Sequence, residues 1–529
     1  MNRPLLLISS HLLLGSVYLL VRLQPLNPLS FLFVAVLVLF APGFLVGIRG
    51  IRLTWSFLSK AMAISSLAWI IWLVVIRVLG VHAKSDHAWI FIWLLQLYAL
   101  IFRDQHLREW ISQGVSTVRR IPVHAGILLV AGYLVTSFSA WEVVPPQQDQ
   151  DMVIANPVYG YLQHGEPYGT ETHFSYIFSK PPLLHLQAGI SLLFLDYLEP
   201  AYFYSQSGRI VGFLDEIHWA VRRFRQRDVE CFDINLDLVF ATRAVTILMG
   251  SLIPLVIWSL ALRLGARRDM AMLMGVTYLF LPEVFIRSGY AGFTTPSLFL
   301  MGLAAYFLSD HRKQDTPALF SVGMMMALTN QKMLFVPALF VLYSLCRGKD
   351  GFIVIARHPW LWGIAAGTAA WWAYGGIVDW STFLRDHVYY DFRDRFLLQD
   401  VTLGYEGETW YPGIFGLWME WVRNWTPPLF LLSVCGILWS LFRNHTLRFL
   451  ALWAILGWIL GSVTDWRQTK HLMLTMIPMC AALPVFASRL PPWVRRIFTL
   501  VLLLILFYNI TVIVRVWRNF DSLPPSTVW

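Results

Sequence analysis

Charge is scarce in this chain: Asp, Glu, Lys and Arg make up 14% of its 529 residues, where soluble domains carry about a quarter. Cysteine is scarcer still. Cys231, Cys346, Cys435 and Cys480 are scattered, three of them in apolar stretches, so there is neither a disulfide framework nor a zinc-ligand spacing. No repeat with a period of roughly 20–50 residues is visible, which excludes a solenoid. Together these absences exclude a cytosolic enzyme, a secreted domain and a disordered chain.

What is present is hydrocarbon. Hydrophobic residues form 57% of the chain and aromatics 15%, including 25 Trp. About fifteen windows of roughly 15–20 residues carry one charge or none, and each is long enough to cross roughly 30 Å of bilayer as a helix. Examples are 28–48, 244–262, 290–309 and 497–514. The expected fold is therefore an all-α polytopic membrane protein. The net charge of +10 is what cytoplasmic loops rich in Lys and Arg produce, so no nucleic-acid partner is inferred.

The basic clusters set a topology. Arg49, Arg52 and Lys60; Arg103, Arg108, Arg119 and Arg120; Arg263, Arg267 and Arg268; Arg312 and Lys313; Arg347 and Lys349; and Arg489, Arg495 and Arg496 all fall in the cytoplasm if the N-terminus is inside. Spans are then expected near 5–23, 29–48, 60–80, 87–103 and 124–143, before a long polar stretch outside. Further spans follow near 240–263, 270–288, 293–309, 317–331, 332–346, 360–378, 426–442, 448–464, 471–488 and 497–514. The first apolar run lacks a small-x-small cleavage site and reads as a retained span rather than a signal peptide. Segment 183–197 is short and interrupted by His185 and Gln187. It reads as a juxtamembrane or re-entrant helix, because a crossing there would invert every later basic cluster.

Polar mass gathers in 144–182, 198–239 and 379–424, all on the outer side in this scheme. Charges inside the spans are chiefly Glu283 and Lys332, both near span ends. A secondary transporter keeps ionisable groups near the midplane; this pattern instead places chemistry at one face. Asp149 and Asp151 stand two apart just after a span, suited to a general base or a divalent cation, with a solvated helix-capping pair as the alternative. Lys180, Pro181 and Pro182 form a stiff corner that holds an amine at headgroup level. There it suits a lipid phosphate, or it snorkels.

The order of these features resembles a known family. An acidic pair after a span, YLQHGEPY and the KPPL corner resemble the GT-C fold of polyprenyl-phosphate-dependent glycosyltransferases, especially protein O-mannosyltransferases and the lipid A aminoarabinose transferase. ATRAVTILMGSLIP, RSGYAGFTTPS, GMMMALTNQKMLF, WSTFLRDHVYYDFRDRF with ETWYPGIFGLWMEW, and QTKHLMLTMIP are similar to later family segments, in family order. The resemblance covers 124–514 and implies a GT-C-like core of about eleven spans, 124–515, behind an accessory helical segment, 1–123, and before a tail, 516–529. Within the core it implies a first external loop, 144–197, an insertion, 198–239, and a loop over the donor site, 379–424.

The activity it implies is inverting transfer of a sugar from a polyprenyl-phosphate carrier to a hydroxyl of a lipid, glycan or protein, at the extracytoplasmic face. A bacterial inner membrane is preferred to the endoplasmic reticulum. Asp151 or Asp149 would be the base, and with Ser179 where the family has an acidic residue, the second carboxylate role is vacant or passes to Glu171. A leaving phosphate needs fixed cations in a partly dehydrated site. Lys180, Arg287, Arg467, Lys470 and His471 are the candidates, and Arg467, Lys470 and His471 share one face if their segment is helical. His173, Arg385 and Tyr411 are candidate substrate contacts. Arg385, Arg393 and Arg395 add to the phosphate-facing cations or form a basic loop on anionic headgroups. Thr294 and Thr295 replace an Asp found in many relatives, which weakens a metal-dependent reading. The sequence names no cofactor, and a divalent cation, if one is used, would fall on Asp149 and Asp151. The rivals are a lipid-linked-sugar flippase and a non-catalytic scaffold of the same fold.

Overall fold

The computed structural model describes residues 3–24, 27–46, 54–81, 83–103, 122–143, 181–195, 236–309, 315–346, 349–384, 426–463 and 475–518. Among these there is helix and no strand. The N-terminal helices are α1 (Arg3–Leu23), α2 (Pro28–Leu39), α3 (Ala41–Val46), α4 (Trp55–Val78) and α5 (Ser85–Phe102). Next come α6 (Val123–Phe138), continued by a π turn over Ser139–Val143, then α7 (Leu183–Leu195) and α8 (Leu236–Arg263). The chain goes on through α9 (Arg268–Leu279), α10 (Pro282–Ser288), α11 (Thr294–Leu308), α12 (Thr316–Thr329), a 3-10 turn at Gln331–Leu334 and α13 (Phe335–Leu345). It closes with α14 (Lys349–Arg357), α15 (Pro359–Phe383), α16 (Pro427–Leu441), α17 (His445–Val463), α18 (Met476–Arg489) and α19 (Pro492–Arg518).

Local chemistry sets several helix starts. The Asn27 side chain accepts the Leu29 N–H at 2.8 Å and Thr54 Oγ1 accepts that of Phe57 at 3.3 Å, each answering a donor that the first turn cannot satisfy internally. Pro28, Pro282, Pro359 and Pro427 open their helices, where the missing N–H costs nothing.

Five helices among the described residues are long and apolar enough to cross a membrane, or six if α9 and α10 count as one broken span. Nine further apolar helices are 10–17 residues long. Of the long ones, 241–263 has 83% of its most apolar window buried, against 28–39% for the others. That helix is apolar all round and serves as the axis of the fold. It packs against α2, α6, α7, α9, α11 and α18.

The structure departs from the span list in three places. The span expected at 29–48 breaks at Phe40 into α2 and α3. The one expected at 270–288 bends by 65° between α9 and α10, because Pro282 forces Leu281 out of the helical region, to φ −67° and ψ 125°. Helix α14 was not expected. Run 317–346 does divide, into α12 and α13 around the 3-10 turn.

Helix α7 is buried along its whole length, in contact with α1, α2, α4, α5, α8 and α12. It is inserted between the N-terminal helices and the rest rather than laid on a surface. Phe194 meets Trp69 and Trp89 edge-on, with ring centres 5.5 and 4.9 Å apart. The N-terminal helices also touch the remainder directly, α2 on α8 and α4 on α12.

The tightest helix pair is α12 with α15. A Cβ at Gly323 would overlap the Trp360 carbonyl, and Cβ atoms at Gly363 and Gly367 would overlap those of Phe320 and Met324. Small residues let these backbones touch, which is how helices associate where hydrocarbon supplies no hydrophobic drive. Gly363→Leu is expected to force the pair apart and cost about 1–3 kcal/mol, read as a lower midpoint in thermal unfolding of the purified protein. An unchanged midpoint would contradict this packing.

Helix α4 is pinned to α12 by Asp315. Lys60 Nζ lies 3.1 Å from its carboxylate, the Ser56 hydroxyl donates to the same oxygen, and the Ala318 N–H is accepted at 3.2 Å. Burial alone would raise the carboxyl, but Ser56, Lys60 and Ala318 outweigh it and hold it below its ordinary value. A depressed carboxyl stabilises the fold above the unfolded value of about 4, and this is lost as pH falls through the folded one. Asp315→Asn should therefore cost about 1 kcal/mol near neutrality and lose less than the parent on acidification to about pH 3. Equal losses in both proteins would refute the pinning.

Candidate active site

The 65° bend decides where polar groups collect. The 12 residues of α9 climb about 18 Å at 1.5 Å per residue, short of the roughly 30 Å of a bilayer core. The chain then turns sideways as α10, so 282–288 lies across the end of the bundle, recessed into it.

On α10, Arg287 Nε and Glu283 Oε1 are 2.6 Å apart, with side chains 11% and 10% exposed. The spacing i, i+4 puts the two on one helical face. The buried Tyr290 ring lies beyond them. The Arg287 guanidinium is 6.0 Å and the Arg243 guanidinium 5.8 Å from its centre, within cation–π range.

Arg243 is fully buried near the start of α8 and donates to the Ala140 carbonyl at 2.7 Å. That carbonyl belongs to the π turn from which the first polar loop departs. The Ser139 hydroxyl donates to the Phe285 carbonyl, so the foot of the loop is tied to α10 as well. From the other flank of the loop, Pro181 is buried and the His185 ring stands 5.6 Å from that of Phe293.

Thr295 donates to the Arg287 carbonyl at 3.1 Å and Ser288 to that of Phe285 at 3.0 Å. The Thr295 hydroxyl thus closes the turn between α10 and α11. Asn330 Nδ2 donates to Ser297 Oγ at 3.1 Å, which joins the 3-10 turn to the same end of the bundle.

Of the candidate residues, Arg287 is placed in this cluster. Asp149, Asp151, Glu171, His173, Lys180, Arg385, Tyr411, Arg467, Lys470 and His471 lie outside the described residues. The flanks of two of their segments, 139–143 and 181–185, do converge on 285–293. Arg243 was missed as a charge inside a span. An Arg in an otherwise apolar window is itself the signal for it. Among the described residues no group of three or more His, Cys, Asp or Glu gathers to hold a metal.

The described residues thus define an all-helical membrane protein with a buried ion-pair cluster let into one end of its core. No family model matches the chain, and no curated protein does. Among solved structures it is similar to the crystal structure of ArnT from Cupriavidus metallidurans bound to undecaprenyl phosphate, at 14% identity and a TM-score of 0.45. The match covers 71% of this chain and 62% of that one.

Removing one partner of a buried ion pair leaves the other charge uncompensated, which costs about 3–5 kcal/mol, whereas removing both costs far less. Glu283→Gln is therefore expected to lower thermal stability sharply, and the Glu283→Gln/Arg287→Gln double variant to recover most of the loss. Additive losses would show that the pair is not coupled as its 2.6 Å contact implies.

Proposed function

We propose that this chain is an integral-membrane glycosyltransferase of GT-C type, which moves a monosaccharide from a polyprenyl-phosphate carrier to a hydroxyl of a lipid, glycan or protein with inversion. The observation that carries the reading is the convergence of both flanks of the first loop on the cation-bearing segment 283–293. The Ser139–Phe285 bond brings in one flank and the His185–Phe293 ring contact the other. The order of the sequence motifs supports the same reading.

In this mechanism Asp151, or Asp149, takes the proton of the acceptor hydroxyl as its oxygen attacks the anomeric carbon. The bond from that carbon to the phosphate oxygen breaks, and its electron pair stays on the phosphate. Fixed cations that need no reorganisation lower the cost of that charge; Lys180, Arg287, Arg467, Lys470 and His471 supply them. Glu171 serves as the second carboxylate, and His173, Arg385 and Tyr411 contact the sugar or acceptor. The distribution of Lys and Arg supports an extracytoplasmic face for this chemistry.

Asp149→Asn and Asp151→Asn, singly and together, test the role of the base. Transfer from a polyprenyl-phosphate-linked sugar in proteoliposomes is expected to fall by about 10² or more in the double variant, with the unfolding midpoint retained. Full turnover in that variant would remove the enzyme reading and favour a flippase or a scaffold.

A further inference from the structure

The unexpected helix α14 lies between α13 and α15, and one glycine sets which side of it faces the protein. Gly351 is buried, and a Cβ there would overlap the Ser344 carbonyl at the end of α13. At 3.6 residues per turn, Phe352, Ile353, Ala356 and Arg357 fall on the side away from that contact. All four are exposed, Phe352 to 66% and Ile353 to 53%. The helix thus turns large apolar side chains and a cation outward together.

Two observations point to what covers this side. Arg357 stands one turn beyond Ile353 on the same face, and among the described residues no carboxylate pairs with it. A lone guanidinium amid exposed hydrocarbon matches a surface that is apolar below and anionic above, as the edge of an acidic leaflet is. Trp362 of α15 is 60% exposed and donates its indole N–H to the Ala356 carbonyl at 2.9 Å. Exposed Trp near the ends of apolar helices gathers at the headgroup level, and this bond holds the last turn of α14 at that same level. The sequence agrees in charge: Arg347 and Lys349 come just before Asp350, the one acidic residue of the helix.

We propose that the outer face of α14 docks on a leaflet rich in anionic phospholipid, with Phe352 and Ile353 in the upper acyl region and Arg357 on a lipid phosphate. Gly351 permits this, because a larger residue would push the helix off the end of α13. The surface stands whether or not the chain is a glycosyltransferase.

The full-length protein tests this in nanodiscs of equal phosphatidylcholine and phosphatidylglycerol, with the photo-crosslinker p-benzoylphenylalanine in place of Phe352 and adducts identified by mass spectrometry. Lipid adducts should form, with phosphatidylglycerol favoured about five-fold, the preference one basic residue gives at an anionic surface. Arg357→Gln in the same background should bring the ratio to parity. Parity with Arg357 present, an undiminished preference in Arg357→Gln, or adducts to a co-purified protein in place of lipid would overturn the proposal. Should the crosslinker variant not fold, backbone hydrogen exchange of the unmodified protein decides. Exchange over 352–357 that is slower in discs containing phosphatidylglycerol than in phosphatidylcholine alone supports the docking, and equal exchange refutes it.

Discussion

A guanidinium cannot be left without partners in hydrocarbon, and Arg243 is wholly buried. Its bond to the Ala140 carbonyl and its place over Tyr290 answer that requirement with two pieces of chain far apart in sequence. One is the π turn that launches the first polar loop; the other is the turn after the broken helix. The same cation that must be compensated thus fixes the origin of the loop and the position of the recessed segment. The Glu283–Arg287 pair depends on this frame, because a charged pair is tolerated at such depth only where surrounding groups keep its geometry.

The remainder of the fold follows from packing without a hydrophobic drive between helices. Backbones approach where glycine permits, as at Gly323, Gly363 and Gly367, and polar side chains join elements where they can be mutually satisfied, as at Asp315. Helix α7 fills the space between the N-terminal helices and the axis at α8. The N-terminal helices thereby become part of one body with the rest, in contact through α2, α4 and α7.

Hydropathy windows made the helices legible, because an apolar run has few other conformations open to it in lipid. The two missed breaks carried weaker signals. Pro282 marked the 65° bend, but its effect depends on Leu281 adopting an extended conformation, and the apolar run continues through it. Pro42, in the broken second run, was equally silent. Helix α14 is short and amphipathic, so no apolar window marked it. At the site, motif order pointed to Arg287, which the structure places in the cluster with Glu283. Arg243 lay in plain view within ATRAV, yet a single charge at the edge of a long apolar window reads as part of the span until its partners are known.

In the proposed mechanism the acidic loop and the cation-bearing segment face a single phosphate. The most direct measurement is a cryo-EM map of the full-length protein with a non-transferable polyprenyl-phosphate sugar bound. Phosphate density is expected within about 4 Å of a basic side chain from the Lys180 or Arg287 segments, with the Asp149–Asp151 turn beside the sugar. A phosphate held elsewhere on the bundle, with that turn remote from it, would rule out this mechanism.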